Sequence, residues 1–465
     1  MTKSTLRFIN HACCLIESPD SLLLFDPWLE GTAFNESWGL LDSTTSNLTL
    51  LQNLPTSTKS LYVWVSHEHS DHLSISFIRE LVSLGIQATY MYQRSSDRRV
   101  VDFLKLNLLK VIEIEEGQAI ELDEDLCLWG WSFYSGDSYC LIKSGDVYVL
   151  NLNDCDAATE KYVAEILANI SSVTNQISVL FTQFGYANWV GNEDQQHLRI
   201  SEGEKIVRKL ALQITCFEPT FVVPFASFAY FCHQENSYMN YEQITPEKLR
   251  SAAELEVFQD QIFFMKSGDT INLDLGICGG QLLSQTSEAE KTWASLSIAP
   301  KFLVTEHNYV DIGTLIDSAT DFIKKCNKSF FYAPSILSFL RLIPCINLKI
   351  WDSGYVLRLS YHRKPISLPT KKWDIGLSSR TAEFLLRREY GVDTLSVSAR
   401  FQVRQSDSFL KVQTFFALQY FLKESLNNRS ILDQARAFTV FPARAFAHSK
   451  RRLLKFFKPE YSSGR

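Results

Sequence analysis

The stretch that decides the fold is Val65-Ser66-His67-Glu68-His69-Ser70-Asp71-His72. It follows an apolar and aromatic run at residues 61–65 that is typical of a buried strand. Residues 73–85, which come next, have the apolar spacing of a helix. The imidazoles and carboxylate therefore lie where a strand ends and a helix begins, which is where sites form in α/β sheets. Because histidine and aspartate hold zinc, manganese or iron in proteins, the stretch predicts a metal site.

Bulk composition narrows the class of protein. Hydrophobic residues make up 46% and charged residues 21% of the 465 residues, as expected of a soluble globular protein. The net charge of −6 gives no reason to expect nucleic acid as a partner. No apolar run reaches the roughly 18 residues that a membrane span needs, and the N-terminus lacks the core of a signal peptide. We therefore expect a cytoplasmic protein.

The ten cysteines are spread along the chain, most of them within apolar runs. This distribution is typical of buried, reduced thiols in a cytoplasmic protein. The sequence has no C-x-x-C and no C-x-H, which excludes a zinc ribbon and a Rieske iron–sulfur centre.

The order of predicted elements indicates two domains. Strand-like and helical runs alternate as far as residue 280, which predicts two sheets with helices outside them. The pattern changes after Gly279-Gly280, so we predict a metal-binding domain at 1–280 and an α+β region of unknown role at 281–465. Predicted strands of the first domain are 6–16, 22–25, 61–65, 111–114, 126–131, 139–142, 147–150, 177–181 and 221–225; predicted helices are 73–85, 97–108, 157–168, 202–216 and 246–253.

The second region contains few residues of the metal-binding types. His307 and His362 stand alone there, which favours structural roles for both. The basic and amphipathic tail at 449–458 is typical of a solvated helix end, with contact to anionic lipid or to an acidic partner as the alternative.

The opening stretch resembles the H-x-H-x-D-H signature of the metallo-β-lactamase superfamily. This resemblance implies an αββα four-layer sandwich in which His67 and His69 hold one metal ion and Asp71 and His72 hold a second. It also implies that Asp26, at the end of an early strand, supports the signature loop through hydrogen bonds.

The same resemblance assigns two ligands further along the chain. Asp154, after the run at 147–150, matches the carboxylate that bridges the two ions, although a helix N-cap explains the same position. His233, after the run at 224–231, matches the last histidine ligand, and a packed core histidine is the alternative.

One ligand of the superfamily is missing, because no histidine occurs between His72 and His197. Asp137 is the best replacement, and a turn residue before a strand is an equally good interpretation. We expect one or two divalent ions, with zinc as the first choice. Ligation by Asp137 would add an oxygen donor in place of a nitrogen, which favours iron or manganese.

Longer stretches resemble one branch of the superfamily. Residues 25–34, 66–74, 153–155 and 224–226 resemble the metallo-β-lactamase-fold portion of CMP-N-acetylneuraminate hydroxylase and its bacterial relatives, some of them linked to surface-polysaccharide synthesis. The resemblance covers roughly residues 1–280 and extends weakly to 391–403. Because the hydroxylase also carries a Rieske centre, its reaction is not expected of this chain.

Candidate substrate contacts lie in two polar loops. Asn188 and Trp189 belong to an aromatic and amide-bearing loop after a strand, and Glu235 and Asn236 lie beside His233. Ordinary loop structure explains each of them as well. His11, near the end of an early strand, either faces the site or belongs to the core.

These observations lead to three hypotheses. The first is a metal-dependent hydrolase in which a metal-activated water attacks an ester, lactone, amide or phosphoester, with Asp71 steering the nucleophile. Its small-molecule substrate would be a sugar or nucleotide sugar by analogy with the relatives. The second is a di-iron oxygenase on the same fold, motivated by Asp137. The third is a non-catalytic binding protein with a degenerate site. The oligomeric state is left open.

Overall fold

The computed structural model describes residues 4–95, 98–134, 136–299, 301, 303–305, 308–369 and 372–419, which fall into two compact units. The first unit comprises the described residues up to Val190, residues 195–233 and residues 237–304. The second comprises residues 191–194 and 234–236 and the described residues from Thr305 onward. The predictions made for His307 and for the tail at 449–458 lie outside the described residues.

The first unit contains two large sheets and one small one. Its strands are β1 (Thr5–Asn10), β2 (Cys13–Glu17), β3 (Ser21–Phe25), β4 (Thr32–Ala33), β5 (Trp38–Leu40), β6 (Ser60–Val65), β7 (Ala88–Gln93), β8 (Lys110–Ile114), β9 (Ala119–Glu121), β10 (Leu126–Ser132), β11 (Ser138–Ser144), β12 (Val147–Asn151), β13 (Val179–Gln183), β14 (Phe221–Phe225), β15 (Ala229–Phe231) and β16 (Thr270–Asn272). Its helices are α1 (Asn47–Asn53), α2 (Ile75–Ser83), α3 (Arg99–Leu106), α4 (Glu160–Ile170), α5 (Gln196–Phe217), α6 (Pro246–Arg250) and α7 (Leu275–Ile298).

The strand orders are β16-β1-β2-β3-β6-β7-β8 in the seven-stranded sheet and β14-β13-β12-β11-β10-β9 in the six-stranded sheet. In each sheet one half is parallel, β3-β6-β7-β8 in the first and β12-β13-β14 in the second. The remaining pairs are antiparallel. Parallel strands bring their carboxyl ends to the same edge, so the loops that follow β3, β6, β12 and β14 can meet there.

The alternation of side chains along the strands produces the layers. On β3, Leu22 and Leu24 belong to a core shared with α1, α2 and α3, whereas Leu23 and Phe25 belong to the core that contains the six-stranded sheet. Successive strand residues point to opposite faces, so one sheet buries two apolar surfaces. Residues of α4 and α5, such as Ile166 and Leu210, belong to the core of the six-stranded sheet. The result is the αββα sandwich of the metallo-β-lactamase fold, which confirms the predicted fold class.

The predicted strand at 6–16 is wrong in one respect, because it is two strands, β1 and β2, paired antiparallel. The chain reverses at His11 and Ala12, and His11 has a φ of 46°. The reversal contains neither glycine nor proline, so the usual turn signals are absent. It places His11 at an end of the sheet.

The break after residue 280 falls inside helix α7, which packs with the first unit. A Cβ on Gly279 would lie 2.6 Å from Cζ of Phe221, so glycine is needed there for close packing of the helix against β14. Glycine at this position is a packing residue.

The second unit is built on one five-stranded sheet with the order β19-β18-β17-β20-β21. Tyr361 stacks on Phe415 at 4.6 Å between ring centroids and donates its hydroxyl to the Phe415 carbonyl at 2.9 Å. The helices and strands of the second unit are α8 (Ile312–Ser329), α9 (Ala333–Phe339), β17 (Ile346–Ile350), β18 (Val356–Leu359), β19 (Ile366–Leu368), β20 (Ile375–Leu377), α10 (Ser379–Arg387), α11 (Gly391–Ser398), β21 (Gln402–Val403) and α12 (Ser408–Phe416).

Within the part of the chain that the structure describes, no helix has both the length and the apolar character needed to cross a membrane. All ten cysteines lie among the described residues, and none of them forms a disulfide.

Replacing Trp293 by alanine should lower the free energy of unfolding by about 3–5 kcal/mol. Trp293 is fully buried, stacks on Phe228 at 3.8 Å and donates its indole N–H to the Met265 carbonyl at 2.9 Å, so truncation leaves both a cavity and an unpaired carbonyl. The measurement is urea denaturation followed by circular dichroism. The control is Leu106→Ala at a side chain that is 82% exposed, where we expect a change within about 0.5 kcal/mol. Equal shifts for the two variants would contradict the packing described for α7.

Candidate metal centre

The signature loop connects the end of β6 to helix α2, as the sequence predicts. Ser74 caps the helix by accepting a hydrogen bond from the Phe77 amide at 3.3 Å, so the loop is held at both of its ends. His67, Asp71 and His72 are buried, with at most 3% of each residue exposed. The loop therefore carries its imidazoles and carboxylate inward.

Four residues just past strands of the two large sheets have left-handed backbone conformations. His11, Asp26, Asn153 and Ala226 follow β1, β3, β12 and β14, and their φ angles lie between 38° and 53°. Each costs roughly 1 kcal/mol or more for a residue other than glycine. The Ala226 amide donates to the His11 carbonyl at 2.9 Å, so the edges of the two large sheets are joined at this point. Strain of this kind is concentrated at functional sites.

Asp26 connects the strand ends. Its Oδ1 accepts the Ser66 amide at 2.8 Å, and its Oδ2 accepts a hydrogen bond from the Asn153 side-chain amide. The same Oδ2 lies 3.2 Å from Nδ1 of His72. A proton on Nδ1 directed at this carboxylate leaves the lone pair on Nε2 of His72 facing the interior of the site, which is the arrangement of a metal-binding histidine.

One group of ligand atoms surrounds Asp154. Its Oδ2 lies 3.5 Å from Nε2 of His72 and 4.0 Å from Nε2 of His67. Nδ1 of His69 lies 2.8 Å from Nε2 of His67, and Ser66 Oγ lies 2.9 Å from the other ring nitrogen of His67. His67, His72 and Asp154 thus offer ligand atoms within 4.8 Å of one another.

A second group contains a residue that sequence analysis left undecided. Nε2 of His11 lies 3.5 Å from Oδ2 of Asp71, and Nε2 of His72 lies 3.4 Å from the same oxygen. His11, Asp71 and His72 also have ligand atoms within 4.8 Å of one another, and all three are buried. The sequence signal for His11 was the polar pair Asn10-His11 inside an otherwise apolar run.

The donor atoms suit a divalent cation. Ligands bonded at about 2.1 Å are about 3.4 Å apart in a tetrahedron and about 3.0 Å apart in an octahedron. Among the described residues, Nε2 of His72, Oδ1 of Asp71 and Oδ1 of Asp154 are buried with no hydrogen-bond partner. Because a buried polar atom without a partner is costly, their convergence fits a site that binds a cation.

Protonation states in the cluster suit ligation. Burial, followed by the charge of His72, lowers the pKa of His67 to about 4, and burial followed by His67 lowers the pKa of His69. Burial alone would raise the pKa of Asp71, but the charge of His72 outweighs it and holds that pKa well below its usual range. Two neutral imidazoles and an ionised carboxylate are therefore available to a metal.

His72 behaves differently. Burial alone would lower its pKa, but the carboxylates of Asp71, Asp154 and Asp26 outweigh burial and raise the pKa well above the usual value. The same interaction lowers the pKa of Asp154 despite its burial. A proton thus sits on His72 where a bound cation would replace it.

Asp137 faces the cluster from the loop between β10 and β11. Its Oδ1 lies 3.8 Å from Nε2 of His67, and its carbonyl accepts the Phe133 amide at 2.7 Å. The Gln93 side chain donates to the Gly136 carbonyl at 2.7 Å, and Ser138 Oγ donates to the Ser66 carbonyl at 2.5 Å. Asp137 is therefore both a turn residue and a neighbour of the ligands.

The structure does not bring His233 into either three-residue group found among the described residues. His233 is buried beyond β15, in a bridge with Val304. Its assignment as a ligand stays a prediction.

The four predicted substrate contacts lie in different surroundings. Asn188 is exposed and Trp189 is half-buried. Glu235 accepts hydrogen bonds from Arg400 at 2.7 Å and from Trp351 at 3.2 Å, and the buried Asn236 donates to the Ser398 carbonyl at 2.7 Å. Glu235 and Asn236 thus have structural partners in the second unit, and substrate contact by any of the four stays a prediction.

No protein-family model matches the chain. Among curated proteins, the chain is similar to cytidine monophosphate-N-acetylneuraminic acid hydroxylase of Danio rerio, with 24% identity over 250 residues, 50% of this chain and 40% of that protein. The hydroxylase of Mus musculus is 24% identical over 241 residues, 50% of this chain and 41% of that protein. The matched region is thus less than half the length of these relatives.

Solved structures with similar folds include CmlA, a di-iron β-hydroxylase from Streptomyces venezuelae, with 14% identity, a TM-score of 0.41 and coverage of 58% of this chain and 54% of that chain. Igni18, a metallo hydrolase from Ignicoccus hospitalis, has 15% identity, a TM-score of 0.35 and coverage of 58% and 98%. Together with the layer order of the first unit, the sequence similarity to the hydroxylases confirms the predicted resemblance to metallo-β-lactamase-fold proteins.

Replacing Asp26 by asparagine should weaken metal binding about 10- to 100-fold, because the amide cannot hold the Nδ1 proton of His72 as a carboxylate does. The measurement is competition with a chromophoric chelator for added zinc. Asp146→Asn, at an exposed turn residue, is the matched control and should leave affinity unchanged. Equal affinity in the two variants would show that Asp26 does not orient the ligand.

Proposed function

We propose that this protein is a metal-dependent hydrolase with a dinuclear centre. The observation that carries the proposal is the position of Asp154, whose Oδ2 lies 4.0 Å from Nε2 of His67 and 3.5 Å from Nε2 of His72. A carboxylate between two imidazoles from different parts of one loop suits a bridge between two cations. Pairs of cations held in this way serve hydrolytic reactions.

The proposed ligands are His67, His69, Asp71, His72 and Asp154, with Asp137 beside them. His233, the other ligand expected from sequence, is not part of this set. A bound divalent cation would lower the pKa of a water molecule and polarise the bond to be cleaved. Asp71 would steer the attacking water, because its Oδ1 has no hydrogen-bond partner in the described part of the chain. Asp26 would hold His72 in place throughout.

The proposed substrate is a small molecule that contains a sugar. A narrow cleft in the first unit is lined by aromatic rings and side-chain amides, including Trp38, Tyr186, Tyr230 and Gln183. Trp38, which lines the cleft, packs on Phe34, and the ring of Phe34 is 5.4 Å from that of His69. Phe34 is therefore the side chain that separates the cleft from the signature loop. The cleft itself has a volume of about 20 Å³, room for about one water molecule, so the sugar is proposed from the similarity to cytidine monophosphate-N-acetylneuraminic acid hydroxylase.

Asp71→Asn should lower hydrolytic activity by about 100-fold or more, because an amide neither carries the charge nor accepts the proton. The experiment removes metal with a chelator, restores zinc, manganese or iron separately, and measures cleavage of activated esters, lactones and phosphodiesters. The control is His197→Ala, at an exposed histidine of α5, which should leave activity unchanged. A metal-loaded protein without activity on any of these substrates would contradict the proposal and favour a binding role.

A di-iron oxygenase is the second candidate, and Asp137 is the observation that favours it. With Asp137 Oδ1 at 3.8 Å from Nε2 of His67, two imidazoles and one carboxylate surround that position. Two histidines and one carboxylate with open positions are typical of non-haem iron sites.

Asp137→His should raise the ratio of zinc to iron in the purified protein, because an imidazole is a softer donor than a carboxylate. Asp137→Asn is the control that removes the charge without adding a nitrogen ligand. The measurement is elemental analysis of protein expressed without metal supplements, together with oxygen consumption of the iron-loaded wild type. A zinc-to-iron ratio that is the same in all three proteins would exclude Asp137 from the ligand set.

A further inference from the structure

We propose that His11 is a metal ligand and completes the second cation position together with Asp71, His72 and Asp154. This inference rests on the metal centre of the proposed function, and it assigns that centre a ligand from the turn between β1 and β2. His11 lies 56 residues before the signature loop, at a position where sequence analysis left a core role equally open.

The spacing of the donor atoms carries the first step. Nε2 of His11 and Nε2 of His72 lie 3.5 and 3.4 Å from the same oxygen, Oδ2 of Asp71. Oδ2 of Asp154 lies 3.5 Å from Nε2 of His72. These separations match the edges of a coordination polyhedron with bonds of about 2.1 Å. One cation could bind this carboxylate oxygen and both imidazole nitrogens at the same time.

The second step follows from the valence of His72. Its Nε2 belongs to both three-residue groups, and one imidazole lone pair binds one cation. His72 must therefore serve one of the two positions. Oδ2 of Asp71 lies 3.4 Å from this nitrogen, and Asp71 is also the neighbour of His11. The other position keeps His67, His69 and Asp137, and Asp154 is shared.

This division gives both positions the same kinds of donor. Each has two imidazoles, one carboxylate of its own and the shared carboxylate of Asp154. Matching donor sets favour the same metal at both positions, because selectivity among first-row metals follows ligand type and geometry.

The backbone and packing around His11 support the assignment. A buried histidine with a φ of 46° is costly for the fold, and glycine or asparagine would adopt this conformation more easily. Its ring packs edge-on against Trp28 at 5.3 Å between centroids, which fixes the direction of the ring. The carbonyl of His11 accepts the Ala226 amide, so its backbone position is fixed as well.

The test uses the full chain with His11 replaced by glycine, which adopts the left-handed conformation without strain. After removal of metal, wild type and variant are titrated with Co²⁺, and bound ions are counted by elemental analysis and by the visible absorption of the complex. We expect the variant to lose one equivalent of tightly bound Co²⁺, or to bind it at least about tenfold more weakly. Added imidazole should restore that equivalent by filling the space left by the ring.

His197→Gly is the matched control, because it removes an exposed histidine and should bind Co²⁺ as the wild type does. His11→Asn, which also suits a positive φ, separates ligation from folding: circular dichroism should match the wild type while one equivalent is still lost. Unchanged Co²⁺ stoichiometry and affinity in both His11 variants would overturn the inference and leave the proposed function intact. A wild-type protein that binds no Co²⁺ at all would instead overturn the proposed function.

Discussion

The contact on which the site depends is the one between the buried carboxylate of Asp26 and its three partners. Asp26 follows β3, and it binds the amide of Ser66 after β6, the side chain of Asn153 after β12 and Nδ1 of His72. These groups come from both large sheets, so one carboxylate fixes the distance between the two strand ends and the orientation of the ligand. Each partner is a hydrogen-bond donor, which satisfies a charge that is almost fully removed from water.

The same contact explains why the site suits a cation. Asp26, Asp71 and Asp154 surround His72. In the metal-free state the single positive charge of the protonated imidazole faces these three carboxylates. Buried charges of one sign are stable only when they are paired or coordinate a metal. The left-handed backbone conformations of His11, Asp26, Asn153 and Ala226 add conformational strain near the same strand ends. The buried carboxylates and the strained backbone both lie where the ligand atoms converge, as expected of a binding site.

Local sequence features predicted most of the first unit, because its strands and helices follow regular apolar spacing. In the structure Asp26, Asp154 and Asp137 lie close to the signature loop, and their roles in binding a metal stay predictions. The turn at His11 escaped prediction, since it reverses the chain without glycine or proline. The change of pattern after Gly279-Gly280 suggested a domain boundary, but both glycines lie inside α7, and Gly279 is small so that it can approach Phe221. Glu235 was predicted as a candidate substrate contact, and its partner Arg400 could not be foreseen because it lies 165 residues away. Such long-range contacts leave no trace in local spacing.

The choice between hydrolysis and oxygen chemistry depends on few atoms of this site. The scaffold of Asp26, His72 and Asp154 would be the same for either reaction, because it orients ligands and neutralises charge. Asp137 is the side chain that distinguishes the two candidate functions. If Asp137 binds the metal, the ion near His67 gains an oxygen donor, which favours the oxygenase. If Asp137 is only a turn residue, a coordination position near His67 stays open for water, which suits the hydrolase. Its loop is held by Gln93 and by Ser138, which contacts the Ser66 carbonyl, so the carboxylate is carried by the same network that positions the signature loop. A side chain anchored this firmly beside a ligand is positioned to bind the ion, which is why the oxygenase stands beside the hydrolase as a specific alternative.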